Sequence, residues 1–110
     1  MIAFKLFKQN GSITGFEVKG HAGSAEAGRD IVCTAVSSAV YITVNDITDF
    51  FGVSANMTVE DGFLSFSLSP ENDKDGVAEA ALRGLEAHIR QLAEQYPRNL
   101  KVIYGGKNNA

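Results

Sequence analysis

The succession of hydrophobic periods along this chain predicts an α+β fold. The expected order is strand-strand-helix-strand-strand-helix-strand, with two helices packed on a five-stranded, mostly antiparallel sheet. Three observations carry this. Two tight-turn dipeptides, Asn10-Gly11 and Asp61-Gly62, each divide a pair of strand-like segments. Two long stretches repeat apolar residues every three or four positions. A last short apolar run follows Pro97.

Residues 2–8 alternate apolar and polar side chains, and residues 13–20, with Ile13, Phe16 and Val18, read as the partner strand across Asn10-Gly11. Residues 22–29 follow neither period and contain Gly23 and Gly28, which predicts a mobile loop. From Asp30 to Phe51 the pattern turns helical. Val32, Val36, Ala39, Val40, Thr43, Ile47 and Phe50 fall on one apolar stripe. So many β-branched residues lower helix propensity, so packing must hold this helix.

Residues 53–60 and 63–69 form the second expected hairpin, around Asp61-Gly62. Ser69-Pro70-Glu71 reads as a helix start, with Asn72 or Asp73 as the alternative cap. The helix that follows carries Val77, Ala81, Leu85, Ile89, Leu92 and Tyr96 on one stripe, and Pro97 stops it. Residues 100–104 make a closing strand and 105–110 a frayed tail.

Composition narrows the function classes. A length of 110 residues with 45% apolar content suits one domain over residues 1–110. A single cysteine excludes an internal disulfide, and with two dispersed histidines it makes a poor zinc site. The opening Met1-Ile2-Ala3-Phe4-Lys5-Leu6 alternates like a strand instead of forming the apolar centre of a signal peptide. No segment is expected to span a bilayer, and a free thiol suits a reducing, cytoplasmic setting of the bacterial kind. The net charge of −3 argues against direct binding of nucleic acid.

The sole cysteine, Cys33, stands twelve positions after His21. With Asp30 as N-cap, Cys33 would occupy the third helical position, where exposed N–H groups and the helix dipole favour a thiolate. His21, ending a strand, could fold back over the glycine-containing loop and act as base and acid to that sulfur. The N–H of Cys33 would then be the first candidate to hold an oxyanion. Gly20, Gly23 and Gly28 would give a lid its backbone freedom. Asp30 either caps the helix or orients His21, and Ser37, one turn beyond Cys33, faces the same side. His88 reads as structural. The plainer alternative is a non-catalytic binding module with Cys33 buried in its core. Thioesterase chemistry would use the same pair of residues.

Written out, Gly20-His21-Ala22 and Gly28-x-Asp30-Ile31-Val32-Cys33-x-Ala35-Val36-Ser37 resemble the signature of the ribosomal-processing cysteine protease family, Prp. The two hairpins, the long second helix and the closing strand are similar to that family throughout. The resemblance implies a cofactor-free, homodimeric endopeptidase. It implies that the substrate is the short N-terminal extension of large-subunit ribosomal protein twenty-seven, which ends in apolar and aromatic residues. It also places the catalytic roles on His21 and Cys33, and supporting ones on Asp30 and Ser37.

Overall fold

A computed structural model describes residues 1–20 and 27–106, with residues 27–30 described for their backbone. Five strands, β1 (Ile2–Gln9), β2 (Ser12–Lys19), β3 (Asn56–Glu60), β4 (Phe63–Ser67) and β5 (Leu100–Gly105), form one sheet in the order β3-β4-β2-β1-β5. Two helices, α1 (Ala27–Asn45) and α2 (Val77–Gln95), accompany it. All neighbouring strands run antiparallel except β1 and β5, which are parallel. The fold class, element order and mostly antiparallel sheet are those the periodicities predict.

Both hairpins close where the turn dipeptides stand. Asn10 (φ 52°) and Gly11 (φ 83°) take the left-handed backbone that a two-residue hairpin turn requires, and Gln9 faces Ser12 across it. Behind this turn the register slips between Phe7 and Lys8, which leaves Thr14 as an extra residue on β2. The bulge aims the Ile13 N–H at α2, where it donates to Glu79 Oε2 at 2.8 Å. A strand irregularity thus ties the sheet to the first turn of a helix.

The core lies between the sheet and the two helices. Phe4, Phe16 and Phe66 from β1, β2 and β4 stack in series, with ring centroids 5.3 Å apart at each step, and all three are fully buried. Over them pack Val32, Val36, Val40 and Val44 of α1 and Leu82, Leu85 and Ile89 of α2. Burial of such side chains contributes roughly 1.5–3 kcal/mol each. At the far end of the sheet, Tyr104 donates to Glu86 Oε2 at 2.6 Å and accepts from Arg90 Nη1 at 3.2 Å, tying β5 to α2. Partial burial and the bond to the Glu86 carboxylate hold the Tyr104 hydroxyl above the usual phenol range.

Five expectations need correction. The helix expected from Asp30 starts at Ala27, so Asp30 is its fourth residue and not its N-cap. Residues 27–29 of the expected loop are therefore helical, Gly28 among them. A glycine inside a helix costs about 1 kcal/mol, which a helix of this length offsets by its packing. At the other end the α-helix stops at Asn45 and continues as a π-helical turn, Asp46–Phe50. The wider turn rotates Phe50 away from the stripe, leaving it 82% exposed while Ile47 stays buried.

The fourth correction concerns hydropathy. Ile31–Phe50, 20 residues long, reaches a mean hydropathy of 1.4 within an 18-residue window and meets the length and composition of a membrane-crossing helix, where the sequence analysis expects none. The apolar content has two parts. One face, Val32 to Ile47, packs on the sheet, and the other leaves Ile31 (56% exposed) and Ile42 (64%) outside. Finally, α2 begins at Val77, after a 3₁₀ turn at Pro70–Asn72. Asp73 is its effective cap, accepting the N–H groups of Ala78 and Glu79 at 2.9 Å each.

Candidate active site

Of the residues singled out for chemistry, the structure positions Cys33 and Ser37 with their side chains and Gly20 with its backbone. Cys33 is a free thiol, partly exposed, on α1. Its neighbour Val32 is fully buried and packs in the core, and Cys33 touches the rim of that core. The sulfur is therefore not sealed in the interior, as the binding-module alternative requires. Ser37 follows one turn later and is exposed.

The longer helix changes the electrostatics expected at Cys33. It is the seventh residue of α1 and lies beyond the first turn. At that depth its N–H is committed to the carbonyl four residues back, so it is not a free oxyanion donor. The dipole effect, confined to the first turn, weakens accordingly. Both corrections follow from the helix beginning three residues before Asp30.

Gly20 ends the strand side of the site. It takes φ +92°, and its N–H donates to the Gly62 carbonyl at 2.9 Å. A Cβ at this position would collide with the main-chain carbonyl oxygen of Met1. Only glycine fits where β2 leaves the sheet beside β1. This geometry fixes the point from which the next residue, His21, departs. His21, Gly23 and the 22–26 part of the expected lid lie outside the described residues, and for Asp30 and Gly28 the backbone alone is described.

A cleft opens beside Ser37, between α1 and the β3–β4 hairpin. Its lining includes Val36, Val40 and Tyr41 on one wall and Val59, Phe63 and Leu64 on the other, and its volume is about 130 Å³. Sequence periodicity could not reveal it, because its two walls are more than 15 residues apart in the chain. One signal was present: Cys33, Ser37 and Tyr41 recur at four-residue spacing. A second groove runs between α1 and α2 past Ala35, Ile42, Gly84 and His88, and His88 is exposed there.

A solvent-reachable thiol close to an apolar cleft equips a small α+β domain for nucleophilic attack on a peptide-like carbonyl, the chemistry of thiol hydrolases. The family model described as cysteine protease Prp matches residues 1–101. The chain belongs to that family of cysteine proteases.

Among its relatives is the ribosomal processing cysteine protease Prp of Bacillus subtilis (strain 168). It is 30% identical over 94 residues, which cover 82% of this chain and 84% of that protein. The protein of the same name from Staphylococcus aureus (strain Mu50) is 24% identical over 94 residues, covering 86% and 89%. Among solved structures, SMU.848 from Streptococcus mutans superposes with a TM-score of 0.81 at 28% identity, covering 97% of this chain and 96% of that one. The S. aureus ribosomal processing protease Prp in complex with a substrate peptide gives a TM-score of 0.84 at 23% identity, covering 96% and 100%, and shares the fold.

Proposed function

We propose that this chain is a cytoplasmic, homodimeric endopeptidase that removes a short N-terminal extension from large-subunit ribosomal protein twenty-seven. Cys33 is the nucleophile and His21 the general base and acid. The observation that carries this reading is the partly exposed Cys33 thiol on α1, in a chain of the Prp family. The names of the B. subtilis and S. aureus relatives, ribosomal processing proteases, support the substrate class.

The chemistry runs in two halves. The Cys33 sulfur, its proton passed to His21, adds to the scissile carbonyl carbon. The tetrahedral intermediate collapses with cleavage of the C–N bond, and His21 hands its proton to the departing amine. Water, deprotonated by His21, then attacks the thioester, releasing the carboxylic acid and restoring the thiol. Oxyanion donors are drawn from outside the interior of α1, since the Cys33 N–H is spent there. Ser37 faces the same side as the sulfur and is placed to hydrogen-bond a bound peptide.

The test is incubation of the purified protein with the precursor of the ribosomal protein, read by mass spectrometry. Wild type is expected to give a shortened protein and a released N-terminal peptide. Cys33→Ala is expected to leave the precursor intact, and His21→Ala to slow cleavage by at least about a hundredfold. Intact precursor after exposure to folded wild-type protein would overturn the reading.

A further inference from the structure

We propose that the exposed tip at the π-helical turn, where Phe50 and Phe51 stand beside Asp46 and Asp49, is a docking surface for a lysine- and arginine-rich segment of the protein being processed. That the segment belongs to a protease substrate rests on the reading above, while the preference of the tip for cationic polypeptide does not. Three observations carry the inference.

The first is how charge is divided. From Asp30 to Asp73 the chain carries seven acidic residues and no lysine or arginine. All ten basic residues lie outside that stretch, with the other six acidic ones. A modest net charge of −3 therefore hides a strongly negative part and a positive remainder. The stretch comprises most of α1, the π-helical turn and the β3–β4 hairpin, and that hairpin is one end of the sheet. Separation along the sequence is thus separation in space. Lys19 reaches the hairpin from β2, but it stands over the Phe63 ring and pairs with Glu17 at 3.3 Å. Phe63 faces Glu60, at the end of β3 farther along the chain from the π-helical turn. A surface of one sign draws in polypeptide of the other.

The second is the tip itself. Phe50 is 82% exposed and Phe51 53% exposed. Main-chain bonds hold both in place. The Phe51 N–H donates to the Asp46 carbonyl and the Val53 N–H to the Ile47 carbonyl, each at 2.9 Å, and Ile47 is fully buried. Two rings fixed in water are an apolar surface without a partner. The face of a phenyl ring attracts ammonium and guanidinium groups, whose alkyl stems cover its apolar area. Asp49 is exposed and Asp46 half-buried, and among the described residues neither forms an ion pair. Rings alone accept any apolar partner. Rings beside free carboxylates select a basic one.

The third is reach. Phe50 follows Cys33 by 17 residues along one continuous helical run, about 25 Å at the rise of a helix. Extended peptide advances about 3.3 Å per residue, so about eight residues join the two points. A protein that binds ribosomal RNA needs basic residues to neutralise phosphates. The proposed extension is N-terminal, so the basic residues of the mature protein follow the scissile bond. The segment that meets the tip lies about eight residues beyond that bond, in the part that is kept.

Binding is tested first, without cleavage. Labelled peptides alternating lysine or glutamate with serine are titrated separately into Cys33→Ala protein at low and high salt. The lysine peptide is expected to bind at low salt and to weaken as salt rises, and the glutamate peptide to stay unbound. Phe50→Ser with Phe51→Ser is expected to weaken lysine-peptide binding about fivefold or more. Asp46→Asn with Asp49→Asn is expected to do the same. Asp75→Asn with Glu94→Gln removes two exposed charges outside the acidic stretch and is expected to leave binding within about twofold. Equal weakening by both carboxylate pairs would overturn the surface, since net charge alone would then account for binding. A mass that doubles with concentration in wild type and stays single in the phenylalanine variant would also overturn it, because a second copy would be the occupant.

The second arm uses the active enzyme. Two peptides span the cleavage site and carry either a lysine run or a glutamine run about eight residues beyond it. Wild type is expected to show a KM about fivefold lower for the lysine peptide at equal kcat. The Asp46→Asn, Asp49→Asn protein is expected to lose that difference, with alkylation of Cys33 by iodoacetamide unchanged. A wild type that binds the lysine peptide and cleaves neither substrate would sink the protease reading and leave the docking surface standing. A wild type that cleaves both with the same KM would sink the docking surface alone.

Discussion

At Gly20 the backbone reaches φ +92° with the Met1 carbonyl where a Cβ would be. Gly20→Ala is expected to lose about 1–3 kcal/mol of stability, because left-handed strain and the clash act together. A urea midpoint measures this. Peptide cleavage should fall further than stability alone accounts for, since the substitution displaces the point from which His21 departs. Sequence alone picked out Cys33, Ser37 and Gly20, because each is marked by residue type and local spacing. It assigned Gly20 the freedom of a hinge, whereas the structure holds it by a hydrogen bond to the Gly62 carbonyl. The need for glycine there arises from Met1, a contact across strands that no local pattern contains.

Among the elements, the hairpins were legible because Asn-Gly and Asp-Gly turns fix register within a few residues. Helix starts were not, because they depend on competing caps, whereas Pro97 marked the end of α2. At α2, Ser69, Asn72 and Asp73 all qualify by type, and tertiary geometry selects Asp73, which reaches the N–H groups of Ala78 and Glu79. Asp73→Ala is expected to cost about 1 kcal/mol, within the usual range for a lost cap. It should lower the urea midpoint and leave the rate of Cys33 alkylation unchanged, since α1 is held by other contacts. At α1 the sequence reading chose Asp30 as the cap because Asp commonly plays that part, but the helix runs through it from Ala27. That shift of three residues moves Cys33 out of the dipole-rich first turn. One helix boundary thus sets the electrostatic surroundings of the thiol.

For the molecule as a whole, α1 presents apolar side chains on two sides. The inner side is accounted for by the Phe4-Phe16-Phe66 stack and α2, while Ile31 and Ile42 stand on the outer one. This agrees with the proposed homodimer, in which a second copy covers that side. Light scattering is expected to give twice the chain mass, and Ile42→Asp to shift it towards the single-chain value. A wild-type mass equal to one chain would exclude the dimer. The layering and the mostly antiparallel pairing followed from the order of periods. The sheet order β3-β4-β2-β1-β5 did not, since it depends on which edges meet once both helices are in place.

The parallel pairing of β5 with β1 has a temporal consequence. During synthesis β1 is made before the other four strands, yet one of its two flanks stays empty until β5 has emerged. Leu100, 1% exposed, joins the core only at that moment. Since domains fold as cooperative units, a nascent chain lacking β5 would remain unfinished and catalytically silent. A cysteine protease of this build would in this way be barred from acting before β5 has been made.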